Sequence, residues 1–223
     1  MYEKFGQFID GNWSPSSNKE TYEVINPATE EVLGHASKAT PADVDKALKS
    51  AEKGLKVWKK ITPWERSYIL RRIADKLREK KDVLAKWMTL ENGKPLAEGV
   101  GETNGAADIF EWNAEETKRI FGQTIESRFE DTRVHVYYQP VGVVAALSPW
   151  NFPLILAARK ISTALAAGCS VIIKPDTITP GVVMELVDIC RECGVPPGAV
   201  NLLSGDPPSI ASQLIQSDIV KKI

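Results

Sequence analysis

The chain has 223 residues, with 28 Lys or Arg against 29 Asp or Glu and a formal net charge of −1. That balance leaves no electrostatic footprint for nucleic acid or an anionic membrane, and no apolar run reaches bilayer-spanning length. Hydrophobic residues at 43% and charged residues at 26% are ordinary for a globular protein with a sizeable core, in one large domain or two small ones.

Phe8 to Trp13 reads as a hairpin turning on Asp10-Gly11. Tyr22–Ile25 and Val32–Ala36 read as two short strands around the turn Asn26-Pro27-Ala28-Thr29. Together these early strands are expected to form an antiparallel flap on the main domain. Thr40-Pro41-Ala42-Asp43 starts a helix, with Thr40 as N-cap, and Val44, Ala47, Leu48, Ala51, Leu55 and Trp58 keep helical spacing. Thr62-Pro63-Trp64-Glu65 is a capping box, and its helix carries Ile69, Leu70, Ile73, Ala74 and Leu77 on one face. The basic residues Arg71, Arg72, Lys76 and Arg78 are read as a solvated face, since acidic residues are interleaved.

A third helix, about Lys81 to Glu91, stops at Asn92-Gly93. A fourth runs from about Pro95 to Phe121. Its run Gly99-Val100-Gly101-Glu102-Thr103-Asn104-Gly105 is not a dinucleotide fingerprint, because the last spacing is wrong and no strand precedes it. The glycines are expected to allow close helix packing. Arg133 to Tyr138 alternates like a strand, and His135 on it is read as a surface or edge residue.

The stretch from Pro140 to Pro180 organises the rest. An apolar run, Val141–Leu147, meets the turn Ser148-Pro149-Trp150-Asn151-Phe152-Pro153. A helix of about 154–167 follows, and a second apolar run, Ser170–Ile173, ends on Lys174-Pro175. Short β-branched runs bounded by Gly or Pro read as buried parallel strands, so this is a βαβ unit. A helix of about 181–193, a third run at Ala199–Leu203, a helix of about 209–217 and a strand start at Val220–Ile223 continue the pattern. The fold class is therefore α/β, a Rossmann-like parallel sheet flanked by helices.

In such sheets ligands sit outside the carboxyl ends of the strands. Asn151 and Lys174 stand there, on neighbouring strand ends, offering amide donors and a cation to a ligand with hydroxyls or phosphates. Taken singly, Asn151 reads as a turn former and Lys174 as a solvated strand end; their pairing favours a site. Cys169, Cys190 and Cys193 are too few for a disulfide framework and fit a reducing, cytoplasmic setting. The spacing of Cys190 and Cys193 places them one helical turn apart, and no further Cys or His supports zinc. The opening MYEKFGQFIDGNW lacks the regions of a signal peptide.

PWNFP at 149–153, ARKISTALAAGCSVIIKP at 158–175 and TP at 179–180 resemble the signature region of the NAD(P)-dependent aldehyde dehydrogenases. NPATEEVLG at 26–34 and GVPPGAVNLLSG at 194–205 extend the resemblance. FEWNAEETKRIFGQTI at 110–125 is similar to the succinate-semialdehyde dehydrogenase branch. The resemblance covers essentially the whole chain but only the amino-terminal part of the family.

It implies oxidation of an aldehyde to a carboxylic acid, with succinic semialdehyde the preferred substrate and a longer dicarboxylic semialdehyde or a broad range of aldehydes left open. A cysteine thiolate attacks the aldehyde, hydride passes to NADP (or NAD), and a glutamate activates water. By resemblance Asn151 is the oxyanion donor, an element that typically lowers such barriers by about 3 kcal/mol. Leu147, Ser148, Pro149 and Trp150 line the cofactor cleft, and Lys174 binds the adenosine ribose. Thr177 replaces the glutamate that repels a 2′-phosphate in many NAD-preferring members, which favours NADP, while Asp176 beside it could enter the same pocket. The turn Gly205-Asp206-Pro207-Pro208 departs from the family's glycine-rich version.

The resemblance further implies a cofactor-binding domain at 1–121 and 141–223, an oligomerisation hairpin at 122–140 and a homo-oligomer. The family's nucleophilic cysteine and catalytic glutamate lie beyond Ile223, so this chain alone is expected not to oxidise aldehydes. A non-catalytic dinucleotide-binding module and a fragment that oligomerises through unpaired strands are the alternatives.

Overall fold

The structure, a computed structural model, describes residues 2–223. Its centre is a six-stranded sheet in the spatial order β10-β7-β8-β9-β1-β2. The parallel part comprises β7 (Val143–Leu147), β8 (Ser170–Lys174), β9 (Val200–Leu202) and β10 (Val220–Lys222). Strand β7 pairs with β8 from Val143↔Ser170 to Leu147↔Lys174, which sets the carboxyl ends of the two strands side by side.

The first hairpin, β1 (Gln7–Ile9) and β2 (Asn12–Ser14), does not form a flap; it extends the main sheet, β1 running antiparallel to β9 at Phe8↔Leu202. Its turn is the expected one, with Asp10 and Gly11 both at positive φ (53° and 80°), as a tight two-residue hairpin requires. The cause of the docking is buried and non-local. Gln7 donates its amide to the carbonyls of Ser37 and Ser204 and accepts from the Ser204 N–H, closing the sheet edge with a side chain. Strands β3 (Thr21–Ile25) and β4 (Val32–Ser37) form a separate two-stranded ribbon, as do β5 (Gln123–Glu126) and β6 (Arg133–Val136).

Helices cover both faces of the sheet. α1 (Pro41–Trp58) and α2 (Pro63–Glu79) both open with capping boxes, at Thr40/Asp43 and Thr62/Glu65. α3 (Lys81–Asn92) ends on Gly93 in the left-handed conformation. α4 (Leu96–Glu116) stops five residues before the expected Phe121 and passes into a short 3-10 turn, Thr117–Arg119. There the Thr117 hydroxyl, buried, donates to the Ala166 carbonyl and ties the helix end to the next layer. α5 (Pro153–Ala166), α6 (Pro180–Glu192) and α7 (Pro207–Gln216) are the crossovers.

Alternation along the strands divides the core. Ala146, Val171 and Ile173 pack with Leu70, Ile73, Leu77, Phe110, Ile161 and Leu165 on one side. Val143, Ala145 and Ile172 pack with Val44, Leu48, Ile210 and Leu214 on the other. Each large side chain removed from water in this way contributes roughly 1.5–3 kcal/mol.

Gly99 does serve close packing, since a Cβ there would meet Ala85 at 3.0 Å, whereas Gly101 faces open space. The basic face of α2 is not merely solvated. Arg78 reaches Asp108 (2.8 Å) and Glu111 (2.6 Å) on α4, and Arg71 pairs with Glu115. No helix among the described residues is long and apolar enough to cross a membrane.

Candidate functional site

Helix α7 leaves β9 on one side of β8 and delivers the chain to β10 on the far side of β7. The strand order therefore reverses beside β7, and such a switch point opens a crevice at the carboxyl ends of the strands. A cavity of about 280 Å³ lies there, lined by Leu147, Ser148, Pro149, Lys174, Asp176, Pro207 and Ala211. Five of these seven are residues that the sequence analysis singled out. Pro207 entered it only as part of the turn after Gly205, and Ala211 not at all, because nothing local in the sequence shows that α7 starts beside the ends of β7 and β8.

Lys174 is the most informative of them. A strand-end lysine is ordinarily solvated, yet this residue is only 4% exposed. It makes no ion pair and no side-chain hydrogen bond with any described residue. Burial holds its ammonium below the usual lysine range, with Asp176 and Asp206 pulling the other way. Burying a cation without a partner is costly. Ser148 adds a second orphan: its hydroxyl is buried with no hydrogen-bond partner among the described residues. A cation and a free hydroxyl in one cleft suit a ligand carrying hydroxyls or phosphate oxygens, and so fit the dinucleotide that the resemblance implies.

Apart from Asp176, which is in its wall, the remaining candidates stand around this cavity. Asp176 is half-buried and also accepts the Ile178 N–H, so part of its role is the local turn. Thr177 is half-buried beside it. Gly205 is buried with φ 139°, and a Cβ there would come within 2.8 Å of the Ala39 nitrogen, so packing alone requires a glycine. Trp150 is exposed.

Asn151 is exposed, and its side-chain amide has no hydrogen-bond partner among the described residues. The backbone around it is the opposite of free. Lys160 donates to the Leu147 carbonyl (2.6 Å), and the Ser148 N–H donates to the Lys174 carbonyl (3.0 Å). Asn92 donates to the Trp150 carbonyl (2.9 Å) and Lys94 to that of Asn151 (3.1 Å). Glu102 accepts the N–H groups of Leu154 and Ile155. The turn thus holds a free donor amide on a pinned main chain. Asn92, Lys94 and Glu102 lie 52 to 58 residues away in sequence, and no spacing or motif pointed to them.

The cysteines lie elsewhere. Cys169 precedes β8, at the end of the strand opposite to Lys174, and is buried. Cys190 sits in α6 and Cys193 at its C-cap, both buried, and burial pushes both thiols up. A groove of about 410 Å³ between β7 and α5 is largely apolar and contains neither orphan group.

These features define an α/β protein with a cleft at a switch point of its sheet, and comparison with known proteins makes the class specific. The model of the aldehyde dehydrogenase family matches residues 13–223; the chain belongs to that family. It is 42% identical over 216 residues to glutarate-semialdehyde dehydrogenase of Pseudomonas putida, covering 97% of this chain and 45% of that protein. It is 40% identical over 215 residues to the NADP(+) succinate-semialdehyde dehydrogenase of Escherichia coli, covering 96% and 45%. A crystal structure described as an E. coli NADP dependent enzyme superposes with a TM-score of 0.96 at 39% identity, covering 99% of this chain and 46% of that one. The chain spans about half the length of the relatives it matches.

Proposed function

We propose that this chain is the dinucleotide-binding part of an NADP-using semialdehyde dehydrogenase. The observation that carries the reading is Lys174, a buried cation without a partner among the described residues, in a cleft at a switch point of the sheet. In this reading Lys174 and Thr177 face the adenosine ribose, Leu147 to Trp150 line the cleft, and Asp176 borders it. Gly205 lets the turn before α7 pass close by. Thr177 leaves the 2′-phosphate of NADP without the like charge of a glutamate. A dinucleotide held there would supply the acceptor for hydride from the substrate carbon. Asn151 donates to the substrate oxygen as charge builds there, from a position its backbone fixes in advance.

The substrate is a short dicarboxylic semialdehyde, succinic semialdehyde foremost. Support comes from the branch-like segment at 110–125 and from relatives that act on glutarate and succinate semialdehydes. Cys169 stands at the opposite end of β8 from Lys174, and Cys190 and Cys193 at the end of α6, so in this reading the 223-residue chain by itself binds cofactor without turning over aldehyde. Residues 1–121 and 141–223 form the cofactor-binding unit, and 122–140 is a hairpin that pairs with another copy in a homo-oligomer.

The test is a calorimetric titration of the chain with NADP and with NAD, repeated on Thr177→Glu. NADP binding at least as tightly as NAD, with the order reversed in the variant, is the expected result. Binding of neither, or a preference untouched by the variant, overturns the assignment of the cleft.

A further inference from the structure

Lys94 lies in the loop between α3 and α4, and Glu102 lies on α4. Their side chains form an ion pair only 6% and 2% exposed. Two charges removed from water are expensive, and an apolar pair of similar volume would commonly pack as well or better. Helix packing alone therefore gives no reason for ions here.

What the pair does beyond its mutual contact all falls on one turn. The Lys94 ammonium donates to the Asn151 carbonyl at 3.1 Å and sits 4.1 Å from the centre of the Phe152 ring. Glu102 Oε1 accepts the N–H groups of Leu154 (2.9 Å) and Ile155 (3.0 Å). These are first-turn amides of α5, whose own N-cap residue, Phe152, supplies no capping side chain. A carboxylate from a neighbouring helix thus satisfies donors that would otherwise be orphaned and lies favourably at the positive end of α5. One ion holds the backbone at Asn151 and the other holds it just after Pro153. Neither lines the cleft of Lys174.

We propose that Lys94 and Glu102 are positioning residues, a buried ion pair that fixes the turn so that the Asn151 amide is presented in one orientation to a developing oxyanion. The proposal rests on the reading of Asn151 as that donor. It is independent of how tightly the cleft binds a dinucleotide.

The experiment uses the 223-residue chain labelled with ¹⁵N. It follows the Asn151 backbone and side-chain amide resonances, hydrogen exchange at Leu154 and Ile155, and NADP titration, in Lys94→Met, Lys94→Arg and Glu102→Gln. Lys94→Met should displace or broaden both Asn151 resonances, and Lys94→Arg, which keeps the cation, should restore them. Glu102→Gln weakens the acceptor and should speed exchange at Leu154 and Ile155 by about tenfold or more, with the amides in the middle of α2 unchanged. NADP affinity should stay within about twofold in all three, because the pair does not touch the cleft.

If Asn151 does not respond to Lys94→Met, the pair is only a structural contact and the proposal fails. It fails equally if NADP affinity drops while Asn151 is unmoved. Should the unmodified chain bind no NADP, the cofactor reading fails while the Asn151 and exchange measurements still decide this one. The arginine variant conserves the charge and the glutamine variant the shape, which keeps the test open if Lys94→Met does not fold.

Discussion

Strand β8 and the β5–β6 ribbon have similar lengths and both contain β-branched residues, yet they meet opposite fates. Every residue of Ser170–Lys174 is buried. In Gln123–Glu126 and Arg133–Val136 every residue is exposed except half-buried Val136. Phe129 at the tip and Tyr137 and Tyr138 just beyond are also well exposed. A lone two-stranded ribbon is marginal in water, and its unpaired edges are templates for another strand. The contrast separates what this chain stabilises by itself from what it offers outward. The sharpest check is one substitution made twice. Phe110→Ala, in the fully buried layer between α2 and α5, should cost about 3–5 kcal/mol. Phe129→Ala at the ribbon tip should stay within about 0.5 kcal/mol. Denaturant midpoints of the two variants decide this, and equal losses would erase the distinction.

The buried side of the comparison also contains a pH dependence. Glu91, at the end of α3, is wholly buried and accepts the Gly181 and Val182 N–H groups at the start of α6 and the hydroxyl of Tyr2. Burial pushes its carboxyl up to about 7, against the pull of those three donors. The native state therefore keeps a proton that the unfolded chain releases near its ordinary value. The contribution is fully present below about pH 4.5 and is lost as pH rises through about 7, by on the order of 3 kcal/mol. Thermal unfolding at pH 5 and pH 8 should show the loss, and Glu91→Gln should flatten it. A slope of the opposite sign would mean that the three donors outweigh burial.

Lys174 divides stability from binding within β8 itself. Replacing this unpaired, desolvated cation with methionine should raise stability by about 1 kcal/mol. The same Lys174→Met change should weaken NADP by tenfold or more. A variant that loses both stability and binding would make the lysine a structural residue.

The two regions also differ in how far a sequence reveals them. The runs that became β7, β8 and β9 were legible because burial on both faces leaves a continuous apolar signal. Thr40/Asp43 and Thr62/Glu65 were legible because a capping box is a local device. Asn151 and Lys174 could be placed because strand ends follow from the strands. The sequence could not disclose that Lys174 is buried, nor that Pro207 and Ala211, which follow a further strand, share its cleft. Nor could it disclose the grip of Lys94 and Glu102 on the Asn151 turn, which joins residues more than 50 apart without periodicity. The Phe8–Trp13 hairpin was recognised from its turn but misplaced, because its docking depends on Gln7 reaching Ser204.

The smallest expected effect on folding carries the ribbon's share of the comparison. Val134 stands opposite Ile125 in the β5–β6 register, and the two are 41% and 45% exposed. Val134→Asp removes one exposed apolar contact and places a carboxylate on the ribbon. The change in unfolding free energy should be about 0.5 kcal/mol or less, since surface sites without buried partners rarely cost more. If β6 adds to a sheet in another copy of the chain, the same substitution buries a charge in that interface and should shift the sedimenting species to smaller mass at equal concentration. An unchanged mass with unchanged stability would leave the ribbon's exposed aromatic and β-branched residues outside any contact between copies. A large loss of stability would instead place the ribbon against the body of its own chain.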